Sequence, residues 1–131
     1  MPGPQPHLIL VAGPYRSGTG DDPARIADNV RAMEEAALAL YRAGHLPVLG
    51  EWLALPLIAR AGSSRMGDAV WDEIFHPVAE RLAHRCDACL RIGGPSVGAD
   101  EMAAVFERLG RPVYRRLADV PPPGTEAGRR G

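Results

Sequence analysis

Two acids, Asp100 and Glu101, open an amphipathic run directly behind Gly93, Gly94, Pro95 and Ser96, and those residues follow an apolar stretch over residues 86–92. The pattern reads as a strand, a glycine turn and a helix whose first turn carries carboxylates. In a parallel sheet such turns lie at the carboxyl ends of the strands, where ligands bind, and a first helical turn offers free N–H groups to an anion or a hydroxyl. A helical wheel puts the apolar centre between Met102, Val105, Phe106 and Leu109, with Glu101 about a quarter turn away and Asp100 facing solvent. A carboxylate on that boundary is held ionised and half-buried, which suits a nucleophile or a base. First-turn acids also occur simply because they offset the helix dipole by ~0.3–1 kcal/mol, and Gly98 to Glu101 has capping-box spacing, so the residues alone leave both readings open.

A second junction of the same kind lies near the N-terminus. The apolar residues 8–13, LILVAG, break into PYRSGTGDDP, a loop of hydroxyls, glycines and one arginine ahead of a long helix. Gly13, Tyr15, Arg16 and Ser17 of that loop, with Ser96 and Gly98 of the other, are the candidate binding residues around Glu101. Asn29, at the border of the following helix's apolar face, either tethers the first loop by hydrogen bonds or is simply a tolerated edge residue.

Composition narrows the chemistry. The chain has 131 residues, 46% hydrophobic and 24% charged, with a net charge of -1. That is an ordinary globular composition with no basic stripe for a nucleic-acid polymer or an anionic membrane. No apolar run reaches the ~20 residues that cross a bilayer, and MPGPQPH lacks the basic and apolar parts of a signal peptide, so a cytoplasmic location is expected. All 15 basic residues are arginine. Without lysine the phosphate-binding loop of P-loop NTPases and Schiff-base or pyridoxal phosphate chemistry are excluded, and no cofactor is called for. Cys86 and Cys89 form a CxxC, but it precedes a strand, whereas redox motifs of this class open a helix. Two buried thiols are expected, and the neighbouring His84 completes no common zinc spacing, so no metal is expected. His7 and His45 read as surface positions at strand edges.

The elements that must position these residues follow from periodicity. Ile26, Val30, Met33, Ala37 and Leu40 predict a helix capped by Asp21 or Asp22, with Pro23 in its first turn and Gly44 beyond its end. Residues 46–49 predict a second strand and residues 51–61 a short helix. Residues 62–68, GSSRMGD, form a loop. Val70 to Leu82 predict two helical pieces broken at Pro77, with His76 at the break. Residues 111–117 predict a fourth strand. Strands alternating with helices imply an α/β fold: a three-layer open parallel sheet of four to five strands, flavodoxin-like or Rossmann-like, any fifth strand lying near Glu51 or Ser64. One domain over residues 1–117 and a disordered tail over residues 118–131 complete the expectation.

The segments VAGPYRSG, GHLPVLGE and CDACLRIGGPSVGADEMAAVFERLGRPVY resemble the nucleoside 2-deoxyribosyltransferase-like family, including its deoxynucleoside monophosphate N-glycosidase relatives. The likeness spans roughly residues 8–115. It implies that Glu101, in a Ser-x-Gly-x-x-Glu type segment with Ser96 and Gly98, attacks the anomeric carbon of a sugar. Tyr15 and Arg16 would then approach the sugar or a 5'-phosphate. The glutamate stands one residue closer to the serine than in the nucleotide hydrolase relatives. The family's aspartate ahead of the third strand falls at Val78, which leaves Asp72 and His76 as the nearest candidates for an acid. The resemblance implies cleavage or transfer of an N-glycosidic bond on a nucleoside or nucleotide, in a homodimer or larger assembly. A non-catalytic nucleotide-binding module with the same pocket is the alternative.

Overall fold

A computed structural model describes residues 5–124. Strand β1 (Leu8–Ala12) is buried on both faces: Ile9 and Val11 enter one apolar cluster, Leu10 and Ala12 the other. Such double burial is why it reads as a continuous apolar run rather than an alternation. Helix α1 (Pro23–Arg42) starts where the Asp22 side chain accepts the Ala24 N–H and Pro23 takes the first turn, and it buries Ile26, Met33, Ala37 and Leu40. Then follow β2 (Leu46–Val48), α2 (Gly50–Arg60), α3 (Ala69–Ala83), β3 (Ala88–Arg91), α4 (Val97–Arg108), β4 (Val113–Tyr114) and a 3-10 turn at Leu117–Asp119.

The four strands form one parallel sheet in the order β2-β1-β3-β4, with Ile9 opposite Ala88 and Leu10 opposite Cys89. Helix α1 covers the face built on Ile9, Val11, Ala88 and Leu90, whereas α3 and α4 cover the face built on Leu10, Ala12 and Cys89. This is a three-layer α/β fold whose order is that of a flavodoxin-like sheet short of its last strand. From β1 the chain crosses over one face to β2, then returns over the other face to β3. The loops leaving β1 and β3 therefore diverge, and the crevice between them is the switch point at which such sheets bind ligands.

Several expectations need correction. No fifth strand occurs among the described residues; Glu51 lies in α2 and Ser64 in a turn. The fourth strand is two residues long. Pro77 does not divide its helix, which runs unbroken across it. Trp71, Phe75 and Val78 on either side of the proline pack with Ala54 and Ile58 of α2, and that burial outweighs the one hydrogen bond proline cannot make. His45 is buried at 4% exposure, not a surface residue. Its Nε2–H donates to the Pro121 carbonyl and its Nδ1 accepts the His7 amide. That contact, with Val120 packed on the α1 side of the sheet, orders the first part of the expected tail; residues 125–131 lie outside the described residues. No helix among the described residues is long and apolar enough to cross a membrane.

The turn after β3 carries the tightest backbone requirement near the crevice. Gly93 has φ +82, and a Cβ there would lie 2.6 Å from Cδ of Pro14 in the β1 loop. Left-handed backbone costs about 1–2 kcal/mol for a residue with a Cβ, and the proline ring has no flexible end to move aside. Gly93→Ala is expected to lower the unfolding free energy by at least about 2 kcal/mol in urea titrations; an unchanged midpoint would contradict this packing.

Candidate functional site

The crevice is a cavity of about 200 Å³. Its floor is Leu10, Val11 and Ala12, and Gly13, Tyr15, Arg16 and Ser17 form one side, so the β1 loop lines it as expected. Gly13 has room for no side chain: a Cβ would lie 3.1 Å from the Ile92 carbonyl. Asn29 donates its side-chain N–H to the Tyr15 carbonyl at 2.9 Å, which fastens the loop to α1. Ser96 and Gly98 also line the cavity. Ser96 caps α4 by accepting the Ala99 N–H at 3.2 Å, and the His76 ring lies 2.9 Å from where a Gly98 Cβ would sit. Asp72 and His76 of α3 are brought to the same cavity.

Glu101 is not. It is exposed and lines no part of the cavity; the next residue, Met102, does. The reason lies in which side chains α4 buries. Ala99 and Ala103 are buried and Leu109 is 37% exposed, so the buried face is turned by about 40° away from Glu101 relative to a wheel drawn on the large apolar residues. Glu101 then points roughly 130° from the centre of that face, outside the reach of the crevice.

The carboxyl groups that do line the cavity are Glu51 and Asp72. Glu51 stands in the first turn of α2, at the carboxyl end of β2. Gly50 precedes it and allows α2 to approach α3 closely, a Cβ at that place lying 3.2 Å from Ala79 Cβ. Withdrawal from water holds the Glu51 carboxyl above the usual carboxylate range, opposed only by its own backbone amide. Burial, and then the charge of Glu51, likewise raise the Tyr15 phenol, while Arg16 acts the other way. Sequence reasoning passed over Glu51, although LPVLGE repeats the strand, glycine and acid pattern of the later junction.

An aromatic wall backs these groups. Trp71 stacks on Phe75 with ring centres 4.7 Å apart, and Tyr15 lies 6.0 Å from Trp71 and 5.5 Å from Phe75. Trp71 is placed by the cap of α3: Asp68 accepts the N–H groups of Trp71, Ser64 and Arg65 together with the Ser63 hydroxyl. Those bonds hold its carboxyl well below the usual range, the Trp71 amide foremost.

Arg16 is held along one edge, with Gly67 and Trp71 as neighbours. Nε and Nη2 donate to the two oxygens of Asp21 at 2.9 Å each, Nη1 lies 3.0 Å from the place of a Gly67 Cβ, and the guanidinium sits 5.8 Å from the centre of the Trp71 ring. Asp21 reaches it from a left-handed conformation, φ 60, in a loop wound on Thr19.

Behind the opposite side of the crevice, Arg91 at the end of β3 is 8% exposed. It donates to Asp100 at 2.9 Å and to the carbonyls of Ile92 and Gly94. Asp100 thus clamps α4 to the β3 turn even though most of its own side chain faces water. The cysteines are remote from this chemistry. Both are buried and unpaired, and burial pushes the Cys86 thiol up to about 11 and Cys89 to about 12. Among the described residues no three His, Cys, Asp or Glu side chains gather to hold a metal.

No protein-family model matches the chain, and no curated protein matches it.

The folded chain holds the Glu51 proton more tightly than the unfolded chain does. Stability should therefore fall as pH rises from the ordinary carboxylate range through the raised Glu51 value, and level off above it. Glu51→Gln removes that fall, so the variant is expected to be more stable than wild type at pH 7 and to show a flatter profile between pH 4 and 8 in urea titrations. A variant less stable than wild type at pH 7 would mean that the ionised carboxyl is held by bonds rather than stranded.

Proposed function

We propose that the chain binds a nucleoside or nucleotide in this cavity and cleaves its N-glycosidic bond, with Glu51, rather than Glu101, as the working carboxyl. The observation that carries this reading is an acid kept from water and raised in pKa, sharing one cavity with a second carboxyl and an aromatic wall. A carboxyl whose proton is held by burial in this way is suited to act as the acid. As the bond between C1' and the base nitrogen breaks, Glu51 gives its proton to the departing base. Asp72, at the rim beside Arg16, faces the positive charge that builds on the sugar. Water then adds to C1' and returns a proton to Glu51, which closes the cycle; a second base in place of water makes the reaction a transfer. Ser17, Ser96 and the amides of Val97 and Gly98 are donors for sugar hydroxyls.

One observation favours a different reading. Met102 occupies the cavity beside the position from which Glu101 was expected to act, and a pocket that has lost its nucleophile serves as a binding module. Chromatography of free base after incubation with 2'-deoxynucleosides and their 5'-monophosphates separates the two. Base release by wild type should fall about 100-fold or more in Glu51→Gln, the size of a lost general acid, and stay within about twofold in Glu101→Gln. Wild type that binds a nucleoside without releasing base is the binding module.

We place the protein in the cytoplasm, consistent with its two free thiols, and read it as a homodimer or larger. Leu38 and Tyr41 of α1, Leu46 of β2, and Trp52, Leu53 and Leu57 of α2 are exposed, more apolar surface than a monomer usually leaves on one edge. Pro47 lacks the N–H that would extend the sheet from β2, so helix faces rather than strands would meet. Light scattering at micromolar concentration should give at least twice the chain mass of 14.0 kDa, and Leu53→Arg with Leu57→Arg should reduce it to one.

A further inference from the structure

Whether a nucleoside site accepts a 5'-phosphate is decided by the charge it can offer. A phosphate monoester brings about -1.5 to -2 at pH 7 and needs cations or unspent N–H donors. Among the described residues lining the cavity, Arg16 is the one arginine, against the carboxyl of Asp72. The Nε/Nη2 edge of its guanidinium, the edge that would grip a phosphate with two parallel bonds, is already spent on Asp21. Two of its nitrogens hold Asp21, the third faces the backbone of Gly67, and one flat side meets Trp71. The remaining feature that would favour an anion is the start of α4. Its first turn already carries Asp100, and Ser96 has taken the Ala99 N–H, which leaves only the amides of Val97 and Gly98. The balance of charge around the opening is negative.

We propose that the site selects nucleosides without a 5'-phosphate, and that the Asp21 carboxylate enforces the choice by occupying the arginine a phosphate would use. This deepens the nucleoside reading above and rests on it. Asp21 is therefore a specificity residue that touches no part of the substrate. Its positive φ is the conformation that brings it onto Arg16, and Thr19 holds that conformation by donating its hydroxyl to the Arg16 carbonyl and accepting the Asp21 N–H.

The test compares each 2'-deoxynucleoside with its own 5'-monophosphate, by calorimetric Kd and by base release, at low salt where repulsion is strongest. Wild type should prefer the nucleoside at least tenfold. Asp21→Asn, which removes the competing charge and keeps the side-chain shape, should narrow that gap at least threefold by improving the monophosphate alone. A monophosphate bound or cleaved as well as the nucleoside overturns this inference and leaves the nucleoside reading standing. A gap unchanged in folded Asp21→Asn removes Asp21 from the explanation and overturns the proposal as stated. Failure of wild type to bind either ligand brings down the nucleoside reading, and this inference with it.

Discussion

A buried guanidinium must be paired, and the pairing of Arg91 organises the ligand end of the sheet. Leaving such a charge without partners costs several kcal/mol, so its bonds to Asp100 and to the Ile92 and Gly94 carbonyls bind strand, turn and helix into one unit. The consequences run outward. The β3 turn is held so that Gly93 lies against Pro14, which joins the two loops that border the crevice. Helix α4 is fixed in rotation about its axis, and the rotation that satisfies Asp100 gives the cavity Met102 and gives solvent Glu101.

How much of this was legible in the sequence depends on the range of the interaction. Apolar periodicity and glycine turns are local, and they placed the strands, the first helix, both crevice loops and the Asn29 tether. The errors arose where packing between distant segments decides. Weighing Leu109 above Ala99 and Ala103 turned the wheel of α4 toward Glu101, because small side chains carry little hydropathy yet sit where helix and sheet approach most closely. Pro77 signals a break in any local reading, and only the contact of α3 with α2 keeps its helix whole. Glu51 was in reach, since a strand, a glycine and an acid stand together there. What the sequence could not convey is that α3 brings Trp71, Asp72 and Phe75 to the cavity that this acid lines.

The cavity joins elements from three crossovers: the β1 loop, the start of α2 with the middle of α3, and the start of α4. Asp68 is the hinge of the arrangement, because one carboxylate gathers the loop before α3 and starts the helix that carries Trp71, Asp72, Phe75 and His76. The aromatic stack then does two things at once. It walls the cavity that Glu51 lines, where burial makes the acid costly to ionise, and it supplies a flat apolar surface against which a planar group can lie. An acid withdrawn from water in this way costs the fold stability once it is ionised.

At the far end of the sheet, the imidazole of His45 bridges the backbone just before β1 and the backbone just after the 3-10 turn. The described chain is therefore nearly a closed loop, its two ends meeting on the rim opposite the crevice. Anything attached at either end starts its path away from the opening, which leaves the ligand's route clear. A covalent bridge between those ends would need only a few residues, and the order in which the elements follow one another could be rewritten by cutting elsewhere without disturbing the layers.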